Sequence, residues 1–129
     1  MKTPRIEIKA VKSHPLDWLL EPLENKPAYL RKKMFGCEAA YLGGRLMLVI
    51  ADGEEPWNGL MIATSREHHP SLLLEWKALK PHPVLGKWLY ISQNHPQFEK
   101  TGTAAVKCIL KNDPRIGVDP KPRKRKQRL

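Results

Sequence analysis

No apolar run in this 129-residue chain approaches the roughly 18 residues that mark a membrane-spanning helix, which removes integral helical membrane proteins from consideration. The first twelve residues, MKTPRIEIKAVK, lack the apolar core of a signal peptide, so the expectation is a cytoplasmic protein that contacts no membrane. Cysteine is scarce. Cys37 and Cys108 stand far apart and in neither a CxxC nor a zinc-type spacing. Both are expected to be buried thiols of a reducing compartment, not a disulfide or a reactive pair. Catalytic signatures are missing too. There is no GxSxG, no recognisable carboxylate pair, and no Lys-Ser/Thr that would turn Gly43-Gly44 into a phosphate loop. A protein without catalytic residues, cofactor or metal is the expectation.

Positive charge is plentiful but badly distributed. The formal net charge is +10, yet the last nine residues, KPRKRKQRL, hold Lys121, Arg123, Lys124, Arg125, Lys126 and Arg128 and no acid. Residues 1–120 retain only +4. The basic character is therefore largely a tail effect. Residues 119–129 offer nothing to pack and are expected to be disordered. Their six cations are the candidate nucleic-acid contacts, attracting phosphates through counterion release in a salt-sensitive, sequence-independent way. A solvated, solubilising terminus is the competing reading.

The length and a composition of 41% hydrophobic and 28% charged residues fit one soluble domain, placed at 1–118. Its organising stretch is 31–64, which reads as three strands and two turns. The first strand runs from Met34 and Phe35 through 39–42, and Gly43-Gly44 supplies the positive φ angles of a hairpin turn. The second, 45–51, is a continuous apolar run expected to be buried on both faces. The third is 58–64, with Leu60 and Ile62 on one face.

Around this sheet, Leu16, Leu19, Leu20 and Leu23 recur at helical spacing until Pro22 interrupts. Residues 65–70 read as a polar loop, followed by a helix over 71–80 with Ser71 as its N-cap. A strand at 87–92 turns Trp88 and Tyr90 one way, Leu89 and Ile91 the other. The best helix spans 97–111, weakened by about 1 kcal/mol at Gly102. Residues 116–118 suggest a short edge strand. The fold class is α+β: an antiparallel sheet of about four or five strands with two or three packed helices.

Two residue groups tempt a functional reading. His68-His69 lacks the i, i+4 spacing of a metal pair and reads as exposed loop, while His14, His82 and His95 each precede a proline. Trp18, Trp76 and Trp88 sit in apolar segments and read as core; Trp57, between Pro56 and Asn58, is placed to rim a groove.

At Lys33-Met34-Phe35-Gly36, with the apolar segment ending at Tyr41-Leu42, the Gly43-Gly44 turn and the strand closing at Asp52-Gly53, the chain resembles the N-terminal domain of the TfoX/Sxy competence-regulator family, relatives of the YjbR-like domains. The resemblance covers 31–64, and Met34-Phe35-Gly36 is its distinctive part. It implies a small α+β domain of the secretion-chaperone-like type and a non-catalytic regulatory or interaction module with a protein partner. So apolar a sheet face also fits a homodimer interface. Nucleic-acid binding through the tail is the alternative, and a ligand pocket near Cys37, Trp57 and the histidines a third reading.

Overall fold

The computed structural model describes residues 14–120. Six antiparallel strands form one sheet: β1 (Tyr29–Met34), β2 (Cys37–Leu42), β3 (Arg45–Asp52), β4 (Asn58–Ile62), β5 (Lys80–Pro81) and β6 (Leu89–Ser92), in the order β1-β2-β3-β4-β6-β5. Three α-helices accompany it: α1 (Asp17–Leu20), continued by a 3-10 turn over Glu21–Leu23, α2 (His69–Glu75) and α3 (Phe98–Leu110). The α+β expectation holds, with one strand more than the upper count.

The extra strands have identifiable origins. The stretch read as one strand through Met34 and Phe35 is two, because Phe35 (φ 54°) and Gly36 (φ 76°) make a tight turn and Met34 pairs with Cys37. Successive positive φ angles are what a two-residue hairpin loop requires. Gly43 and Gly44 (φ 59° and 82°) build the next turn as expected. The other addition is β5, a two-residue edge strand whose Lys80 and Pro81 face Tyr90 and Leu89. The segment 116–118 contributes only a single bridge, Val118 to Leu46.

The helical expectations shift at their ends. Residues 66–68 form a 3-10 turn and α2 begins at His69, with Pro70 in its first turn. Ser71 is therefore inside the helix and caps nothing; its hydroxyl accepts a hydrogen bond from Arg115 Nη1 at 2.8 Å. Pro70 suits that early position because the amide it lacks has no intrahelical partner there. Arg115 also meets Glu75 at 2.8 Å and Asp113 at 2.7 Å, tying α2 to the loop after α3. The guanidinium holds the Asp113 carboxyl down at about 2.

Packing divides the sheet into two unlike faces. On one, Leu48, Ile50, Leu60 and Ile62 lie fully buried under α1 and α3. Each such side chain contributes about 1.5–3 kcal/mol relative to exposure. Gly102 of α3 is where the helices touch, since a Cβ there would stand 2.8 Å from Leu19 Cδ2. The other face carries small residues, Ala39, Ala51 and Ala63, around Val49, Met61 and Tyr90. No helix covers it. Trp57, Leu85 and Trp88, from the loops before β4 and β6, lie over it instead. The strand β3 is buried on both faces, as its continuous apolar run predicts.

Candidate interaction surface

The tip of the β1–β2 hairpin presents an unusual residue. Phe35 takes a left-handed conformation at φ 54° and remains 65% exposed. For a side chain with a Cβ this conformation costs roughly 1–2 kcal/mol, which is why Gly and Asn dominate such positions. The tip is nevertheless held. Cys37 donates its thiol hydrogen to the Phe35 carbonyl at 3.6 Å, and the Phe35 ring rests 6.2 Å from the Trp57 ring.

Trp57 is fixed by the loop that carries it. Gly53 N–H donates to Trp57 O at 2.8 Å and Trp57 N–H to Glu54 O at 2.7 Å. Within the loop, the Glu55 carboxylate accepts from Tyr90 OH at 3.0 Å and from the Ser92 hydroxyl. The Ser92 hydrogen bond holds the Glu55 carboxyl below its usual range, while burial, with the adjoining carboxylate, pushes the Tyr90 phenol up to about 12.

Beneath Trp57 sits His82, 1% exposed. Its Nδ1 accepts from Val84 N–H and Leu85 N–H, both at 3.0 Å, so Nε2 carries the proton and donates to Pro56 O at 2.8 Å. All its ring polarity is thereby satisfied in the neutral form. Burial lowers its pKa, partly opposed by the bond to Pro56. The ring packs 4.5 Å from Trp57 and 5.2 Å from Tyr90. One histidine thus joins the Trp57 loop to the turn that leaves Val84 64% exposed. Phe35 and Trp57 form an apolar pair at the surface, with buried His82 beneath Trp57.

Two lysines share this sheet face, one on each margin, and Glu54 and Glu55 stand exposed beside Trp57. On β1, Lys32 shares the helix-free face with Met34 and lies 5.5 Å from the Tyr41 ring. On β5, Lys80 stands opposite Tyr90 on that same face. Across residues 14–120 as a whole the charge nearly cancels, with thirteen Lys and Arg against twelve Asp and Glu.

This arrangement has little capacity for catalysis. A carboxylate held below its normal pKa is a weak general base, so Glu55 does not activate Ser92; the pair pins a loop. Burial and the Glu38 charge push the Cys37 thiol up, away from the thiolate a nucleophile needs. Among the described residues no group of three His, Cys, Asp or Glu side chains could hold a metal ion. His68 faces Glu67 and His69 Nε2 lies 2.8 Å from Lys87 O. His95 and Pro15 line a polar cleft of about 460 Å³ with Trp18 and Gln93, whereas His82 packs between Trp57 and Tyr90.

The tryptophans divide differently from expectation. Trp76 and Trp88 are half-buried against the two cores, whereas Trp18 is 37% exposed and edge-on to Phe98 at 6.2 Å. Trp57 is half-buried and lies against the exposed Phe35 ring. Lys121, Arg123, Lys124, Arg125, Lys126 and Arg128 lie outside the described residues. Sequence reading treats Phe35 as a strand residue and His82 as one of the histidines near Trp57, and gives neither its place at this surface. Gly36 after Phe35, and Pro83 after His82, are the signals that mark them. No family model, curated protein or solved structure matches the chain.

Proposed function

We infer that the chain is a non-catalytic regulatory or interaction module of the cytoplasm, docking a protein partner through the exposed Phe35 ring and Trp57 beside it. One observation carries this reading: an aromatic side chain is held exposed at a backbone conformation that disfavours it, braced against a second aromatic. Exposed aromatics on a rigid support are the usual anchors of protein interfaces. The resemblance of Met34-Phe35-Gly36 to the TfoX N-terminal domain supports the regulatory part, because that motif is the turn that presents Phe35.

The test is positional. A photo-crosslinking amino acid at position 35 is compared in cells with the same residue at Leu74, which is 74% exposed on α2. Discrete adducts at 35 and none at 74 are expected. Equal labelling at both, or none at either, contradicts the reading.

The alternative is nucleic-acid binding through residues 121–129, favoured by their six cations. It predicts salt-sensitive binding that disappears from a chain ending at Pro120, measured by fluorescence anisotropy.

A further inference from the structure

His82 ties two loops together through one ring. Its Nε2–H donates to Pro56 O in the loop between β3 and β4, and its Nδ1 accepts from the amides of Val84 and Leu85 in the turn between β5 and β6. The Trp57 ring rests on this imidazole at 4.5 Å, and the Phe35 ring lies 6.2 Å from Trp57. Resting on the reading of Phe35 and Trp57 as a docking surface, we propose that His82 is its positioning residue and a proton-operated latch. Taking up a proton at Nδ1 releases the Trp57 loop from the turn and dismantles the surface.

The hydrogen bonds dictate this outcome. A proton on Nδ1 removes the lone pair that both amides use and sets N–H against N–H. Among the described residues the ring nitrogens meet only Val84, Leu85 and Pro56, so no acceptor stands ready for the new donor. The faces of Trp57 and Tyr90 attract a cation but offer Nδ1 no lone pair in its plane. His82 is 1% exposed, so a charged ring reaches water only when the loops part.

The surrounding groups leave the switch to His82. Burial keeps Tyr90 a neutral phenol up to about 12, and the Ser92 hydrogen bond keeps Glu55 ionised below the usual carboxylate range. Glu54 is exposed on the Trp57 loop, Lys80 and Lys87 are exposed on either side of the turn, and Arg66 approaches it at Gly86. Burial lowers the His82 pKa, so the latch is complete above the ordinary 6.5 and is lost as the pH falls through the lower value of the closed state.

Release is local. The Trp57 loop keeps its bond from Gly53 N–H to Trp57 O, the turn keeps Trp88 N–H to Leu85 O, and β4 stays paired with β6. What goes is the seat of the Trp57 ring.

The test is an NMR titration of the full chain from about pH 7.5 to about pH 4.5, with each histidine ring followed separately. His82 is expected to start as the Nε2–H tautomer and to titrate below 6.5. At the same midpoint the Phe35–Trp57 ring contact should vanish. Protection of the Val84 and Leu85 amides should fall at least about tenfold, while Val49 and Met61, paired between β3 and β4, keep theirs. His82→Gln puts an amide that accepts and donates, but takes up no proton, in place of the ring, and should hold the contact throughout. Photo-crosslinks at position 35, raised in cell lysate at about pH 7.5 and about pH 5.5, should fall at least about tenfold at the lower pH in the unmodified chain and not in His82→Gln.

A His82 ring that stays neutral until Val49 and Met61 also lose protection overturns the proposal, as does one that titrates with the Phe35–Trp57 contact intact. Loss of the contact in His82→Gln at the same pH overturns it equally. Should His82→Gln fail to fold, the titration of the unmodified chain decides alone. If the contact is lost as His82 titrates but position 35 crosslinks to nothing at either pH, the latch stands and the docking reading falls.

Discussion

Three histidines precede a proline and accept at Nδ1 a hydrogen bond from the amide two residues on: His14 from Leu16 at 3.0 Å, His82 from Val84 at 3.0 Å and His95 from Gln97 at 2.9 Å. Proline has no N–H, so the next amide is the first one the ring can meet. Each bond requires an unprotonated Nδ1. For His14 and His82 burial depresses the folded-state pKa below 6.5, so their contribution is complete above 6.5 and is lost as the pH falls through the lower folded value. Urea unfolding across that range should show stability declining with acid. His82→Leu leaves two amides and a carbonyl without their partner and should cost about 3 kcal/mol, while flattening the pH slope. The His-Pro spelling was visible in the sequence; that the ring of His82 would be buried between Trp57 and Tyr90 was not, because those contacts join residues far apart in the chain.

At the scale of elements, periodicity served the strong patterns well. The apolar run of β3 and the alternation of Trp88, Leu89, Tyr90 and Ile91 placed both strands and their faces. It failed where backbone conformation departs from what side chains usually select. Phe is not a turn residue, so the Phe35-Gly36 turn was absorbed into a strand; Lys80 was read as the end of a helix over 71–80, whereas α2 stops at Glu75 and Lys80–Pro81 is a strand at the sheet margin, where a proline is tolerated. Two glycines separate similar-looking demands. A Cβ on Gly59 would lie 2.1 Å from Ile91 O, backbone that cannot move without parting β4 from β6. Gly59→Ala should therefore cost several kcal/mol, roughly 3 or more, or prevent folding. At Gly102 the obstacle is the end of the Leu19 side chain, and the helix-propensity gain of about 1 kcal/mol offsets the crowding. Gly102→Ala should change stability by less than about 1 kcal/mol. Parallel denaturation curves decide both.

For the whole molecule, the near-cancelling charge of residues 14–120 separates the folded body from the basic terminus. A chain ending at Pro120 should show little affinity for DNA or RNA, and anisotropy of the two chains at low and moderate salt would reveal it. What the body offers instead is asymmetry: helices and leucines on one face, loops, lysines and a braced aromatic pair on the other. Sequence pattern supplied the sheet and its helical cover. The surface pair depends on Phe35 and Trp57 meeting from two separate turns over His82, which no local pattern encodes.

The central claim is that Phe35 serves contact and not folding, and unfolding of Phe35→Asn beside the unmodified chain tests it most directly. Asn suits the left-handed turn, so the account predicts stability equal to or about 0.5–1 kcal/mol above that of the unmodified chain. A variant that loses about 2 kcal/mol or more would show that the aromatic ring holds the fold together, and would contradict the account.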